Sequence, residues 1–365
     1  MGATTMSGAG KPGVSAVTVH DSWVEEVETL ARRCTSARDI ETLAALAPAL
    51  RAVAVAMLEA DAGGGVVGRT LAALNDALAV RVIELCAARH RLPTADWCWL
   101  AFGSEGRGEQ TFVTDQDNGI VFSAVDAAEA RALRPLFLAC AQEINQALAA
   151  CGFPLCDGGI MAGNPECCLA QHEWSERFSA WVRTPEPQAL LNATIFFDLR
   201  ALHGNAGLVG ALQQHLAQLS RGADAFLRML ADNALVVEPP IGLVRDFVVK
   251  AGVVDLKKYG ARLFVDAARI LGLACPHSGT AARLRHAADS GILPREDAAA
   301  AIGAFHHLQR IRLLNQHRAL ADGTSPDNLL DPQLLNPFDR RVLREAFRQA
   351  SLLQQRLKIT YRIEG

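Results

Sequence analysis

The chain has 365 residues, half of them hydrophobic and 21% charged, with a net charge of −3. That slight acidity excludes broad, unspecific nucleic-acid binding, which depends on clustered Lys and Arg against phosphates, and no uninterrupted run of ~18 apolar residues predicts a membrane span. The length suits two or three domains, the Ala- and Leu-dominated apolar content predicts a mostly helical protein, and nine scattered cysteines without a CxxC clip fit reduced thiols in a cytoplasmic protein.

Residues 1–20, rich in Gly, Ser and Thr, are expected to form a disordered lead without the apolar stretch of a secretory signal. Residues 21–91 repeat apolar positions at three- and four-residue spacing, broken by "GGG" at 63–65, which predicts an N-terminal helical segment. From 92 to 170 the periodicity changes. "WCWLAFG" and "NGIVFSA" read as buried strands, "DAAEARALRPLFLACAQEINQALAACG" as a long helix and "FPLCDGGI" as a third strand. Residues 171–365 return to helical periodicity, punctuated by turns such as "VVEPPIG" and "DGTSPDN". The expected fold class is therefore α+β and mostly helical, with a small mixed-sheet domain between an N-terminal helical segment and a C-terminal helical domain.

Chemistry concentrates between the first two strands, in "FGSEGRGEQTFVTDQDNGIVF". Asp115 and Asp117 stand at i and i+2, so in extended chain both carboxylates leave one face, about 7 Å apart along the chain. Two such charges repel unless a cation lies between them, and Mg²⁺ or another hard divalent ion prefers carboxylate oxygens together with nucleotide phosphates. Gly103-Ser104, a small turn ten residues upstream, can offer backbone N–H groups to those phosphates. A bare DxD is commonly a solvated turn, but the joint pattern of strand, Gly-Ser, spacer, Asp-x-Asp and strand marks a functional site. Arg107 is either a phosphate clamp or the ion-pair partner of Glu109. Gln110, Thr114 and Gln116 flank the acidic pair and orient it, and Asn118 caps the strand end. Further along, Lys257 and Lys258 in "DLKKYG" read as a solvated basic turn or a nucleotide contact, and the adjacent His306 and His307 cannot share one helix face.

This pattern resembles the DNA polymerase β nucleotidyltransferase superfamily, and "GSEGRGEQTFVTDQDNGIVF" resembles its DUF294 branch of signal-transduction nucleotidyltransferases, relatives of the protein-PII uridylyltransferases. "CDGGIMAGNPECC", "LLNATIFFDLRALHG" and "DLKKYGARLFVDAARILGL" extend the likeness over roughly residues 65 to 360. The helical first 90 residues match neither the cyclic-nucleotide-binding module nor the paired CBS domains that many relatives carry upstream. The resemblance implies transfer of a nucleoside monophosphate from a nucleoside triphosphate to an acceptor hydroxyl, and its relatives point to a regulatory protein as the acceptor. It also implies Mg²⁺ (or Mn²⁺) held by Asp115, Asp117 and a third carboxylate, with Gly103 and Ser104 on the β and γ phosphates. For the third carboxylate the sequence offers Asp157, ending the strand-like "FPLCD" before two glycines, ahead of Asp198, read as part of an early helix beside Arg200. Two other readings stand beside the enzyme: a nucleotide-binding signalling module without turnover, and a HEPN-like nuclease or toxin partner working through the R-x4-H pair Arg312 and His317.

Overall fold

The computed structural model describes residues 16–242, 247 and 251–364, with side chains from residue 23 onward. The expected disordered lead lies outside the described residues up to 15, whereas residues 16–20 open helix α1. Helices α1 (Ala16–Ser36), α2 (Ile40–Glu59) and α3 (Gly64–Ala87) pack on one another. Asp39 begins α2 by accepting the amide of Thr42 at 2.7 Å, satisfying one of the free donors of a first helical turn. By length and composition α2 is apolar enough to cross a membrane, but Leu43, Leu46, Leu50, Val53 and Met57 are buried in the protein core. That is the behaviour of a core helix.

The sheet runs β3-β2-β1-β4. Strand β1 (Trp97–Ala101) pairs antiparallel with β2 (Asn118–Phe122), with Trp97 opposite Phe122 and Ala101 opposite Asn118. Between them lies the four-residue helix α4 (Gly103–Gly106), and after β2 comes α5 (Ala127–Ala150), capped by Asp126. Both faces of the sheet are covered. Trp99, Ile120 and Phe122 join the core shared with α1–α3 and α5, while Cys98, Leu100, Phe102 and Val121 join the core of the later helices. Burial on both faces explains why β1 and β2 are nearly continuous apolar runs.

Two expectations are corrected. "FPLCDGGI" is not a strand: Gly152 (φ +95°) ends α5, Pro154 has no amide to pair, and Gly159 (φ +69°) turns the chain. The third strand is instead β3 (Cys168–Ala170), parallel to β2. Nor is "DLRALHG" helical. Helix α6 (Gln171–Arg183) leads to α7 (Pro187–Phe196), which stops at Phe196, and Arg200–Gly204 forms β4, antiparallel to β1. Sheet pairing overrides the local apolar pattern there, and the sheet draws its fourth strand from beyond the expected boundary at 170.

After β4 come α8 (Ala206–Ser220) and α9 (Asp224–Leu235), then the short strand β5 (Val254–Asp255), a π-helical turn Lys257–Ala261, and α10 (Arg262–Leu271), α11 (Thr280–Asp289) and α12 (Arg295–Ala321). Strand β6 (Leu329–Leu330) pairs with β5, and α13 (Pro337–Tyr361) closes the domain.

Candidate active site

The site begins where β1 ends. The amide of Phe102 donates to the carbonyl of Asp117 at 2.8 Å, which extends the β1–β2 ladder by one step. Gly103 follows with φ +53°, and a Cβ there would lie 2.5 Å from Asp117 Oδ2. Glycine is thus required both for the backbone turn and for the approach of the carboxylate. At Gly106 a Cβ would lie 1.8 Å from the carbonyl oxygen of Asp198, so the turn also packs against the segment entering β4.

From Thr114 to Asn118 burial alternates, with Asp115 and Asp117 toward solvent and Thr114, Gln116 and Asn118 inward. The inward amides form a network. Gln116 Nε2 donates to the carbonyls of Asn145 (2.9 Å) and Phe153 (2.8 Å), and Asn145 Nδ2 donates to Gln116 Oε1 (2.8 Å) and Asn118 Oδ1 (2.9 Å). The amides of Gln116 and Asn118 donate to the carbonyls of Pro154 and Ile160, each at 3.0 Å. One strand thereby fixes the acidic pair on one face and the 153–163 loop on the other. A satisfied buried network of this kind is rigid.

That loop delivers Cys156. The ligand atoms of Asp115, Asp117 and Cys156 lie within 4.8 Å of one another. Asp157, the sequence candidate, is exposed in the turn beside it and is not in this cluster. Burial first, and Asp115 second, push the Asp117 carboxyl up to about 6, against the hydrogen bond from Cys156 and the charges of Lys257 and Arg107. Burial also pushes the Cys156 thiol up.

Asp198, the other candidate, is fully buried. It accepts from Arg107 Nη1 (2.6 Å), from Arg269 Nε (3.0 Å) and Nη2 (2.7 Å), and from Arg283 Nη1. Burial alone would raise its pKa, but Arg269, Arg283 and Arg107 together hold it well below the usual carboxylate range. Its lone pairs are committed to guanidinium groups, so it joins the sheet to α10 and α11. Arg107 also donates Nε to Glu109 Oε2 at 2.8 Å, the ion-pair alternative considered from sequence.

A cavity of about 340 Å³ opens between the acidic turn and α10. Its basic lining is Arg107, Lys257, Lys258, Arg262, Arg269 and Arg312, and its acidic lining is Glu109, Asp115, Asp255 and Asp266. The excess of cations suits a polyanion, and Ser104 and Asp115 stand at its wall. Lys257 and Lys258 enter together because both backbone amides donate to Asp255 Oδ1 at 2.9 Å. Burial lowers the Arg312 pKa to about 10, with Asp255 opposing, which leaves it charged at neutral pH. Its hydrogen-bond acceptors are neutral: Gln309 Oε1 at 2.6 Å and Asn328 Oδ1 at 2.9 Å. His317 instead faces Glu59 at 3.6 Å, since positions five apart on α12 diverge by about 140°. The R-x4-H pair therefore does not form one constellation.

Residues 48–188 match a family profile described as "Putative nucleotidyltransferase DUF294", and residues 224–361 match "Putative nucleotidyltransferase substrate binding domain". The chain belongs to the DUF294 nucleotidyltransferase family. No curated protein matches it. In this DUF294 chain the first profile runs from within α2 through β3 and α6, while the second spans α9 to α13, so the cavity lies where the two matched regions meet. Sequence reading missed Cys156 and the cavity-wall residues Arg262, Asp266 and Arg269. The last three had a signal, because i, i+4 and i+7 spacing puts their charges on one face of an otherwise apolar α10.

Glu105, next to Ser104, was also missed. It is 8% exposed, and burial, then Asp76, push its carboxyl up to about 8 against the pull of Arg200, with Asp117 adding to the rise. A folded pKa above the unfolded value means that the native state binds the extra proton. Stability from this group is therefore present below the unfolded pKa of about 4.5 and is lost as pH rises to about 8. In metal-free protein, Glu105→Gln should remove a slope of about 1.4 kcal/mol per pH unit between pH 5 and 8. Denaturant melts of both proteins across that range check this, and parallel curves would contradict it.

Proposed function

We propose that this DUF294 protein is a cytoplasmic, Mg²⁺- (or Mn²⁺-) dependent nucleotidyltransferase. It moves a nucleoside monophosphate from a nucleoside triphosphate to an acceptor hydroxyl, and the acceptor is a regulatory protein. The observation that carries this reading is the same-face pair Asp115 and Asp117 at the edge of a cation-lined cavity. Carboxylate oxygens at that spacing fit a hard divalent ion completed by phosphate oxygens. The neutral Cys156 thiol is a poor partner for either hard ion.

When bound, the divalent ion would neutralise charge on the triphosphate and on the attacking oxygen. In this reading Gly103 and Ser104 meet the β and γ phosphates, and Lys257, Lys258, Arg262 and Arg312 neutralise them from the helical side. The acceptor hydroxyl oxygen gives up its proton to water and forms a bond to the α-phosphorus as the bond from that phosphorus to the α–β bridging oxygen breaks and pyrophosphate departs. Arg107 acts through Glu109 and Asp198, which hold its guanidinium at the wall. Asp157, beside Cys156 on the same loop, takes the acceptor side. Asp157→Asn should lose turnover while nucleotide binding persists, and normal turnover in that variant removes the residue from the reaction.

Nucleotide binding without turnover is the second reading, favoured by the one observation that a thiol occupies the third ligand position. For either reading, Lys257→Ala or Lys258→Ala should raise the nucleotide dissociation constant about fivefold, roughly 1 kcal/mol for an exposed charge contact. It should also flatten the dependence on salt. Titrations at two ionic strengths measure both effects, and unchanged affinity in both variants returns these lysines to a solvated turn.

A further inference from the structure

A second cavity, of about 200 Å³, lies behind the first on the other side of Arg107 and Glu109. It is built by the Gly-rich start of α3, which the sequence marks with "GGG" at 63–65. A Cβ on Gly64 would lie 2.1 Å from the His306 carbonyl oxygen, and one on Gly65 would lie 2.7 Å from the His306 ring. The glycines therefore serve to bring the first turn of α3 against α12. Opposite stands the start of α11, whose cap Gly279, like the α3 cap Gly63, makes no side-chain capping bond.

Besides Arg107, three basic residues line this space: Arg69, Arg285 and His306. Neither Arg69 nor Arg285 has a carboxylate partner among the described residues. Burial, then Arg69, push the His306 imidazole below its ordinary value, Arg285 adds to the fall, and Glu109 opposes it. Glu109 shows what the α11 end accepts. One carboxylate oxygen takes the Thr280 amide at 2.7 Å and the other takes the Thr280 hydroxyl at 3.0 Å. That carboxylate comes from the catalytic side and is already paired with Arg107, leaving Arg69 and Arg285 uncompensated.

We propose that this cavity is an accessory site for a phosphate-type oxyanion, free or carried by a small metabolite, seated between Arg69, Arg285 and His306. Its volume falls below the ~300–1,000 Å³ of sites that enclose whole drug-sized ligands, so it takes an anionic group and not a second nucleotide. Arg107 and Glu109 line both cavities, so any effect of an occupant on nucleotide affinity in the first is reciprocal by linkage.

The site does not depend on the role given to Asp115 and Asp117, and the test separates the two. Full-length protein is titrated with orthophosphate, pyrophosphate and glycerol 3-phosphate, without divalent metal, reading thermal stabilisation and heat of binding. Saturable binding is expected in the wild type and in Asp117→Asn and Lys257→Ala. In the Arg69→Ala/Arg285→Ala double variant the dissociation constant should rise at least tenfold. Both arginines are exposed, so the double variant should fold, and Arg285→Glu alone gives an independent check with the same direction. Tighter binding of orthophosphate assigns a free ion, and tighter binding of glycerol 3-phosphate assigns a carried phosphate. The proposal is overturned if the wild type binds none of the three, if the double variant binds as well as the wild type, or if binding is lost with Lys257→Ala instead.

Discussion

Asp117→Asn, and likewise Asp115→Asn, should lower metal-dependent turnover about a thousandfold while leaving the fold intact. The exchange removes one negative ligand from a pair whose oxygens lie within 4.8 Å of each other and of Cys156. A bound metal contributes several kcal/mol to stabilising charge in such a transition state, and each 1.36 kcal/mol is a factor of ten. The fold should survive because the anchoring is done by the neighbours Gln116 and Asn118, whose amides hold α5 and the 153–163 loop. Asp117→Asn should also relieve the crowding that pushes this carboxyl up to about 6, so the variant should be no less stable than the wild type in metal-free buffer at pH 8. Initial rates with each nucleoside triphosphate, beside a denaturant melt, read both effects. Turnover close to that of the wild type would remove the metal site from the reaction.

Asp198→Ala should cost about 3–5 kcal/mol of stability, the usual loss when one partner of a buried ion pair is deleted. The side chains of Arg269 and Arg283 are 3% and 2% exposed, and the mutation leaves Arg283 without a carboxylate and Arg269 with Asp266 alone. Asp198→Asn should cost less, because an amide oxygen still accepts from the guanidinium groups. Unfolding midpoints measure the difference. If Asp198→Asn instead retains stability and nucleotide affinity but abolishes turnover, Asp198 and not Asp157 belongs to the reaction.

The acidic pair was legible from sequence because extended chain has a period of two, so a DxD flanked by polar residues must segregate its carboxylates from its amides. The same rule failed one loop later. "FPLCD" reads as a strand only until Pro154 and the Gly158-Gly159 turn are allowed to decide, and in a turn a one-residue shift exchanges Asp157 for Cys156. Strand β4 was hidden for a different reason. "IFFDLRALHG" is a short apolar run, whose local pattern does not distinguish helix from strand, and its pairing partner β1 lies about a hundred residues away in the chain. The role of Asp198 was hidden with it, since Arg107, Arg269 and Arg283 come from three separate elements. Arg200, which stands beside Asp198 in the sequence, pairs with Asp76 on α3 at 2.8 Å. By contrast the basic turn at Lys257 and Lys258 was visible at once, and only the structure shows that both lysines share a cavity wall with Asp115.

Nucleotidyl transfer is tested most directly by following two phosphates of one substrate. Purified protein is incubated with nucleoside triphosphate labelled at the α or the γ position, with Mg²⁺ or Mn²⁺ and cell lysate, and covalent label on macromolecules is measured after denaturation. The α label should become attached in a metal-dependent manner while the γ label leaves in pyrophosphate, and the α label should not become attached with Asp117→Asn. Attachment of the γ label above that in lysate without the protein, or α label that washes away on denaturation, would each contradict nucleotidyl transfer.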